Sequence, residues 1–132
     1  MRIFAIAFLG LLLSCKSNQD AEVLNVNTVL GPIAADSLGL TLIHEHMLVD
    51  FIGADSVSPT RYDKDSVISK VLPYLIEVKA YGVKTIFDCT PSFLAKDPEL
   101  LKKLSELSGV QLVTNTGFYG AVDGKYLPEF VE

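Results

Sequence analysis

The apolar positions of this chain change their period several times, and each change marks an element. An apolar run from Ile3 to Leu13, interrupted by Gly10, gives way to polar residues after Cys15. Val23 to Leu30 then alternates loosely and ends at Gly31-Pro32, a turn signal, so it predicts a short entry strand or hairpin arm. Asp36-Ser37-Leu38-Gly39 predicts a second turn. Leu40 to Met47 predicts a strand whose start is apolar on both faces, as a strand buried in a parallel sheet requires. Residues 48–62, with Gly53 and Pro59, predict a loop of about fifteen residues, long enough that a functional role is expected. Asp65 to Tyr81 has helical spacing: Val67, Val71, Leu75 and Val78 share a face with Leu72 and Ile76 beside them, and Gly82 follows as a stop. Pro73 removes an amide donor inside that helix, which predicts a kink or two shorter pieces.

Val83 to Thr90 predicts the next strand. Asp97-Pro98-Glu99 opens a second helix: aspartate caps free amides, proline is tolerated in the first turn, and glutamate suits the helix dipole. Leu100, Leu101, Leu104 and Leu107 form its expected buried stripe, and Gly109 ends it. Val110 to Thr116 predicts a third strand, followed by Gly117-Phe118-Tyr119-Gly120. The order βαβαβ implies an α/β fold with a parallel sheet. No G-x-G-x-x-G joins a strand to a helix, which disfavours a dinucleotide-binding domain. The first three βα units of a (β/α)8 TIM barrel, incomplete, fit better. Such barrels carry their chemistry at the C-terminal strand ends, where His44, His46, Asp88 and Tyr119 fall.

Composition adds limits. The 132 residues are 49% hydrophobic and 20% charged, a globular balance. The net charge of -5, with no basic run, gives no electrostatic reason to bind nucleic acid. The leader has Arg2 ahead of its apolar run, which is shorter than the ~20 residues that a membrane-spanning helix needs. Leu12-Leu13-Ser14-Cys15 resembles a bacterial lipobox, so residues 1–15 are expected to be a signal peptide with Cys15 as lipidation site, 16–24 a polar tether, and 25–132 the barrel portion. The alternative is an ordinary secretory signal. The chain is accordingly expected in the bacterial cell envelope, held at the membrane through a lipid anchor, or else secreted.

His44-Glu45-His46 carries the candidate chemistry. Side chains alternate along a strand, so two imidazoles two residues apart face one side and can close on one divalent ion, with Glu45 facing the other way. H-x-H alone is a weak pattern, and two solvated polar residues at a strand end is the competing view. Asp88 suits either a partner for a ligand histidine or a turn cap. Cys89 reads as a small packed residue, and Phe118 as core.

The surrounding blocks sharpen this. Asn27-Thr28-Val29-Leu30-Gly31-Pro32-Ile33, then Gly39 through His46, Gly82 through Asp88, and Thr116-Gly117-Phe118-Tyr119 together resemble the opening of the phosphotriesterase family of the amidohydrolase superfamily. The resemblance implies a barrel with a two-metal centre, usually zinc, in which His44 and His46 hold the more buried ion. It implies a hydroxide shared by the metals that attacks a phosphorus or carbonyl centre of a small-molecule substrate. A bridging carboxylated lysine from strand four, histidines from strands five and six and an aspartate from strand eight complete the family's site. The aromatic residue after strand three lines the pocket, here Tyr119; a tyrosine there favours an ester, lactone or amide over a phosphotriester. The complete enzyme is expected to pair as a homodimer. No catalytic residue beyond the metal ligands is assigned within this chain. A barrel of this kind needs about 250 residues, so the chain is expected to be an N-terminal fragment, inactive alone. Two functions follow: a metal-dependent hydrolase, or a non-catalytic lipid-anchored binding or scaffold protein with a degenerate partial barrel. Sequence encoding more ligands beyond Glu132 would separate them.

Overall fold

The computed structural model describes residues 24–131; the leader, Cys15 and most of the tether lie outside the described residues. A hairpin comes first. Strands β1 (Asn25–Thr28) and β2 (Gly31–Ala34) pair antiparallel, Thr28 opposite Gly31. The Thr28 hydroxyl donates to the Gly31 carbonyl at 2.7 Å and accepts from the Leu30 amide at 3.2 Å, so the turn sits at Val29-Leu30. Gly31-Pro32 therefore opens β2 rather than forming the turn, and Gly31 supplies the φ of +118° that a residue with a side chain rarely adopts.

Strands β3 (Leu40–Glu45), β4 (Val83–Asp88) and β5 (Gln111–Thr114) form a parallel sheet in that order. Helix α1 (Lys64–Ala80) links β3 to β4, and α2 (Pro98–Ser108) links β4 to β5. The βαβαβ order is thus present, while β5 is followed by turns and a short 3-10 helix (Glu129–Val131), not by a third α-helix, among the described residues. The hairpin reaches β5 through one backbone bond, Val29 N–H to Leu112 O at 2.8 Å.

The core lies between the sheet and the two helices. Leu75 of α1, Ile86 of β4, Leu100, Leu101 and Leu104 of α2, and Leu112 of β5 are its buried centre. Val67, Val71 and Val78 pack against it from the predicted face of α1. Ile76, expected beside them, is exposed. α1 runs unbroken through Pro73, so the expected division into two pieces does not occur; the tertiary packing of its apolar face holds the helix across the missing donor. Asp63 caps it, accepting from the Ser66 amide at 2.8 Å.

In α2 the buried stripe differs by one position from expectation. Leu100, Leu101, Leu104, Ser105 and Ser108 are buried, and Leu107 is 47% exposed. Steps of one, three and four residues keep a helical face together, and Leu107 falls off it. The serines enter the core because both hydroxyls are bonded, Ser105 to Val110 O at 2.6 Å and Ser108 to Leu104 O at 2.7 Å.

β3 also departs from expectation. It is an edge strand with β4 as its one neighbour among the described residues, so Leu40 and Ile43 are exposed, the latter by 76%. Leu42 alone of its first apolar residues turns to the helices.

Candidate metal and substrate site

The site is built from the C-terminal ends of the three parallel strands. Leu42 pairs with Ile86 and Glu45 with Asp88, three steps on β3 against two on β4. This bulge breaks the simple alternation and ends the strand at Glu45, leaving His46 just beyond it. The two imidazoles still come together: their ring centroids are 5.4 Å apart at 72°, edge to face. Glu45 lies against α1, in a groove lined by Tyr74 and Val78.

Residues after β4 hold this end of β3 in place. The Cys89 amide donates to Glu45 O at 2.8 Å. Buried Asp88 accepts from the Met47 amide at 2.9 Å and from the Thr90 amide at 2.8 Å, so of its two expected roles it plays the turn cap. Thr90, unremarked in the sequence, touches a histidine: its Oγ1 lies 3.0 Å from His46 Nδ1. Thr90 follows Asp88 by two, so strand periodicity carried on past β4 would have placed both on one face.

His44 and His46 border an open cavity of about 430 Å3, walled also by Phe51, Cys89, Phe118 and Tyr119. The expected wall residue Tyr119 is therefore brought to the histidines. Two expectations are corrected here. Phe118 is 44% exposed on the cavity wall and stacks with Phe93 and Phe130 at 6.0 and 6.1 Å, because the chain leaves the sheet after β5 and its aromatic side chains cluster over the strand ends. Cys89 is half-buried on the same wall, its thiol donating to Ile43 O at 3.6 Å, not packed in the core, since it follows the last paired residue of β4.

The long loop after β3 is firmly tied. Arg61 Nε donates to Asp50 at 2.6 Å, and that guanidinium bond holds the Asp50 carboxyl below the usual carboxylate range. The Asp50 amide bonds Leu94 O at 3.2 Å. At its end, the Tyr62 hydroxyl donates to Asp97 at 2.9 Å; burial first, then the carboxylate, push that phenol up to about 12. On the β5 side, Asn115 donates to Cys89 O at 2.8 Å and Lys96 to Asn115 O.

The two histidines supply part of a metal site. With its proton on Nδ1, His46 would donate to Thr90 and keep the Nε2 lone pair for a metal, the arrangement usual for ligand histidines. Among the described residues, however, no group of three His, Cys, Asp or Glu side chains could hold an ion, whereas catalytic zinc normally keeps three protein ligands.

A parallel α/β sheet with histidines and aromatic residues gathered at its C-terminal end has the layout of the opening segment of a barrel. Comparison with known proteins agrees: residues 24–131 match the model of the phosphotriesterase family, and the chain belongs to that family. It is 32% identical over 91 residues to an aryldialkylphosphatase of Saccharolobus solfataricus, covering 69% of this chain and 29% of the relative. It is 30% identical over 121 residues to the N-acetyltaurine hydrolase of Bos taurus, covering 71% and 35% respectively. Among solved structures, the organophosphorus hydrolase from Deinococcus radiodurans superimposes with a TM-score of 0.63 at 32% identity, over 72% of this chain and 29% of that one. The chain thus spans about a third of the length of the relatives it matches.

Proposed function

We propose that this chain contributes the first strands of a metal-dependent hydrolase in which His44 and His46 hold a divalent ion, zinc first among candidates. The observation that carries the reading is the meeting of the two imidazoles at one cavity, with Thr90 orienting His46, in a chain of this family. A divalent ion bound there would polarise the scissile group and activate a water. The chain's own residues would hold the ion and shape the cavity: His44 and His46 as ligands, Thr90 as the partner that sets the tautomer of His46, and Tyr119 as a wall against the substrate. The relatives' names span phosphate-ester and N-acyl hydrolysis, so the substrate is an ester, lactone, amide or phosphotriester. Cys15 would anchor the protein to a bacterial membrane by lipid.

The test is a zinc titration of the 132-residue chain, followed by the imidazole signals of its two histidines, with paraoxon, lactone and aryl-ester assays in parallel. Weak binding that His44→Ala and His46→Ala each abolish, without turnover, is the expected result, because two ligands are one short of a catalytic site. Zinc shifts elsewhere but not at these imidazoles would overturn the ligand assignment. Turnover by this chain at enzymatic rates would overturn the view that it holds only part of the site.

A further inference from the structure

The cavity beside the histidines has walls from several stretches of chain, among them Phe51 in the loop after β3 and Tyr119 after β5. Neither stretch is in the sheet, and something must fix one against the other. Lys125, in the stretch after β5, reaches across to the loop after β3. Its ammonium donates to Phe51 O at 3.1 Å and lies 5.3 Å from the ring centre of Tyr126. Its own carbonyl accepts from the Ala54 amide at 3.0 Å, so the side chain and the backbone of one residue grip the same loop. Gly53, between these two contacts, has a φ of +124°, and Lys125 passes close to its Cα hydrogen face.

The grip is passed on through aromatic rings. Tyr126, 6% exposed, packs edge-to-face on Phe51 at 5.8 Å and tilted on Tyr119 at 5.6 Å. Tyr126 is thus the shared backing of both wall residues. The approach to it is strained: Val122 and Asp123 have φ of 59° and 51°, left-handed values that residues with side chains rarely adopt, and Gly124 follows at 77°. Such a turn persists only where its surroundings hold it, and the bonds of Lys125 are the ones that close it on the loop.

We propose that Lys125 is a positioning residue that clasps the loop after β3 to the segment after β5, and through Tyr126 sets the place of Tyr119 on the cavity wall. The importance of that place for substrate selection rests on the hydrolase reading above; the clasp itself does not.

The experiment is NMR on the 132-residue chain and two variants. Lys125→Met keeps the stem and removes the charge, and Lys125→Arg keeps charge, donor and ring contact. Ring-to-ring NOEs between Tyr119 and Tyr126, and between Phe51 and Tyr126, are expected in the parent chain and in Lys125→Arg, and are expected to fall severalfold in Lys125→Met. Methyl signals of Leu104 and Leu112 should stay in place in all three, which separates a moved wall from a damaged core. Undiminished NOEs in Lys125→Met, their absence from the parent, or their loss in Lys125→Arg would each overturn the clasp. A zinc titration of the same samples reports independently on the histidines: failure to bind zinc would sink the metal reading and leave the clasp result standing.

Discussion

Removing the Asp97 side chain should cost this small fold a large share of its stability. Asp97 sits at the start of α2, 8% exposed, and one carboxylate serves three donors. Its Oδ1 accepts from the Leu100 amide at 3.0 Å, and its Oδ2 accepts from Tyr62 at 2.9 Å and from Lys64 at 2.8 Å. Loss of the cap costs about 1 kcal/mol. The Tyr62 hydroxyl, left half-buried without its acceptor, adds about 1–2 kcal/mol. Lys64 is more than a third exposed and can turn to Glu99 or water, so its ion pair adds little. Asp97→Ala is therefore expected to lose roughly 2–3 kcal/mol at neutral pH, measured by urea unfolding followed by far-ultraviolet circular dichroism, since the chain has no tryptophan. The pH dependence gives a second check. Burial alone would raise the Asp97 carboxyl, but Lys64, the Leu100 amide and Tyr62 outweigh it and hold the group below its ordinary 3.8. A lowered folded value means that the contribution is complete above the unfolded value and lost as pH falls through the folded one. Asp97→Asn keeps a capping oxygen and loses the charge, so it should trail the parent at pH 7, begin to close the gap near pH 3.8, and draw level only as pH falls through the lower folded value. A loss under about 0.5 kcal/mol for Asp97→Ala, no more than a typical surface substitution, would refute the reasoning.

Two further outcomes are expected. Thr90→Val should leave the fold intact but weaken zinc binding at the histidines about tenfold, because His46 loses the group that orients it; an unchanged zinc titration would remove Thr90 from the site. Leu104→Ala, at a position with no exposure, should cost about 2–5 kcal/mol in the same urea assay, whereas Leu107→Ala on the exposed side of α2 should cost a small fraction of that.

The sequence carried the sheet and its order well, because periodicity and caps are local. β4 and α2 fall where alternation, Asp97-Pro98 and Gly109 place them, and the α1 face of Val67, Val71, Leu75 and Val78 is the packed one. What failed depended on partners distant in the chain. The exposure of Ile43 follows from β3 having one neighbouring strand, and Ser105 and Ser108 are buried by bonds that no hydrophobic pattern records. The histidine pair was legible from spacing, although a bulge lies in the strand that carries it. Thr90, Lys125 and Tyr126 were not legible, because each matters through a contact with a residue of another loop.

The bond from Val29 to Leu112 has a consequence for the order in which the chain assembles. It joins the first hairpin to the last strand of the sheet, so it closes a loop containing both helices and the other two parallel strands. Closing so long a loop costs entropy that is recovered only once the intervening contacts exist, so the hairpin should form early by itself and dock late. In pulse-labelled hydrogen exchange, protection of the Val29 amide would then mark the docking of the hairpin on β5, an internal clock for the last step of assembly.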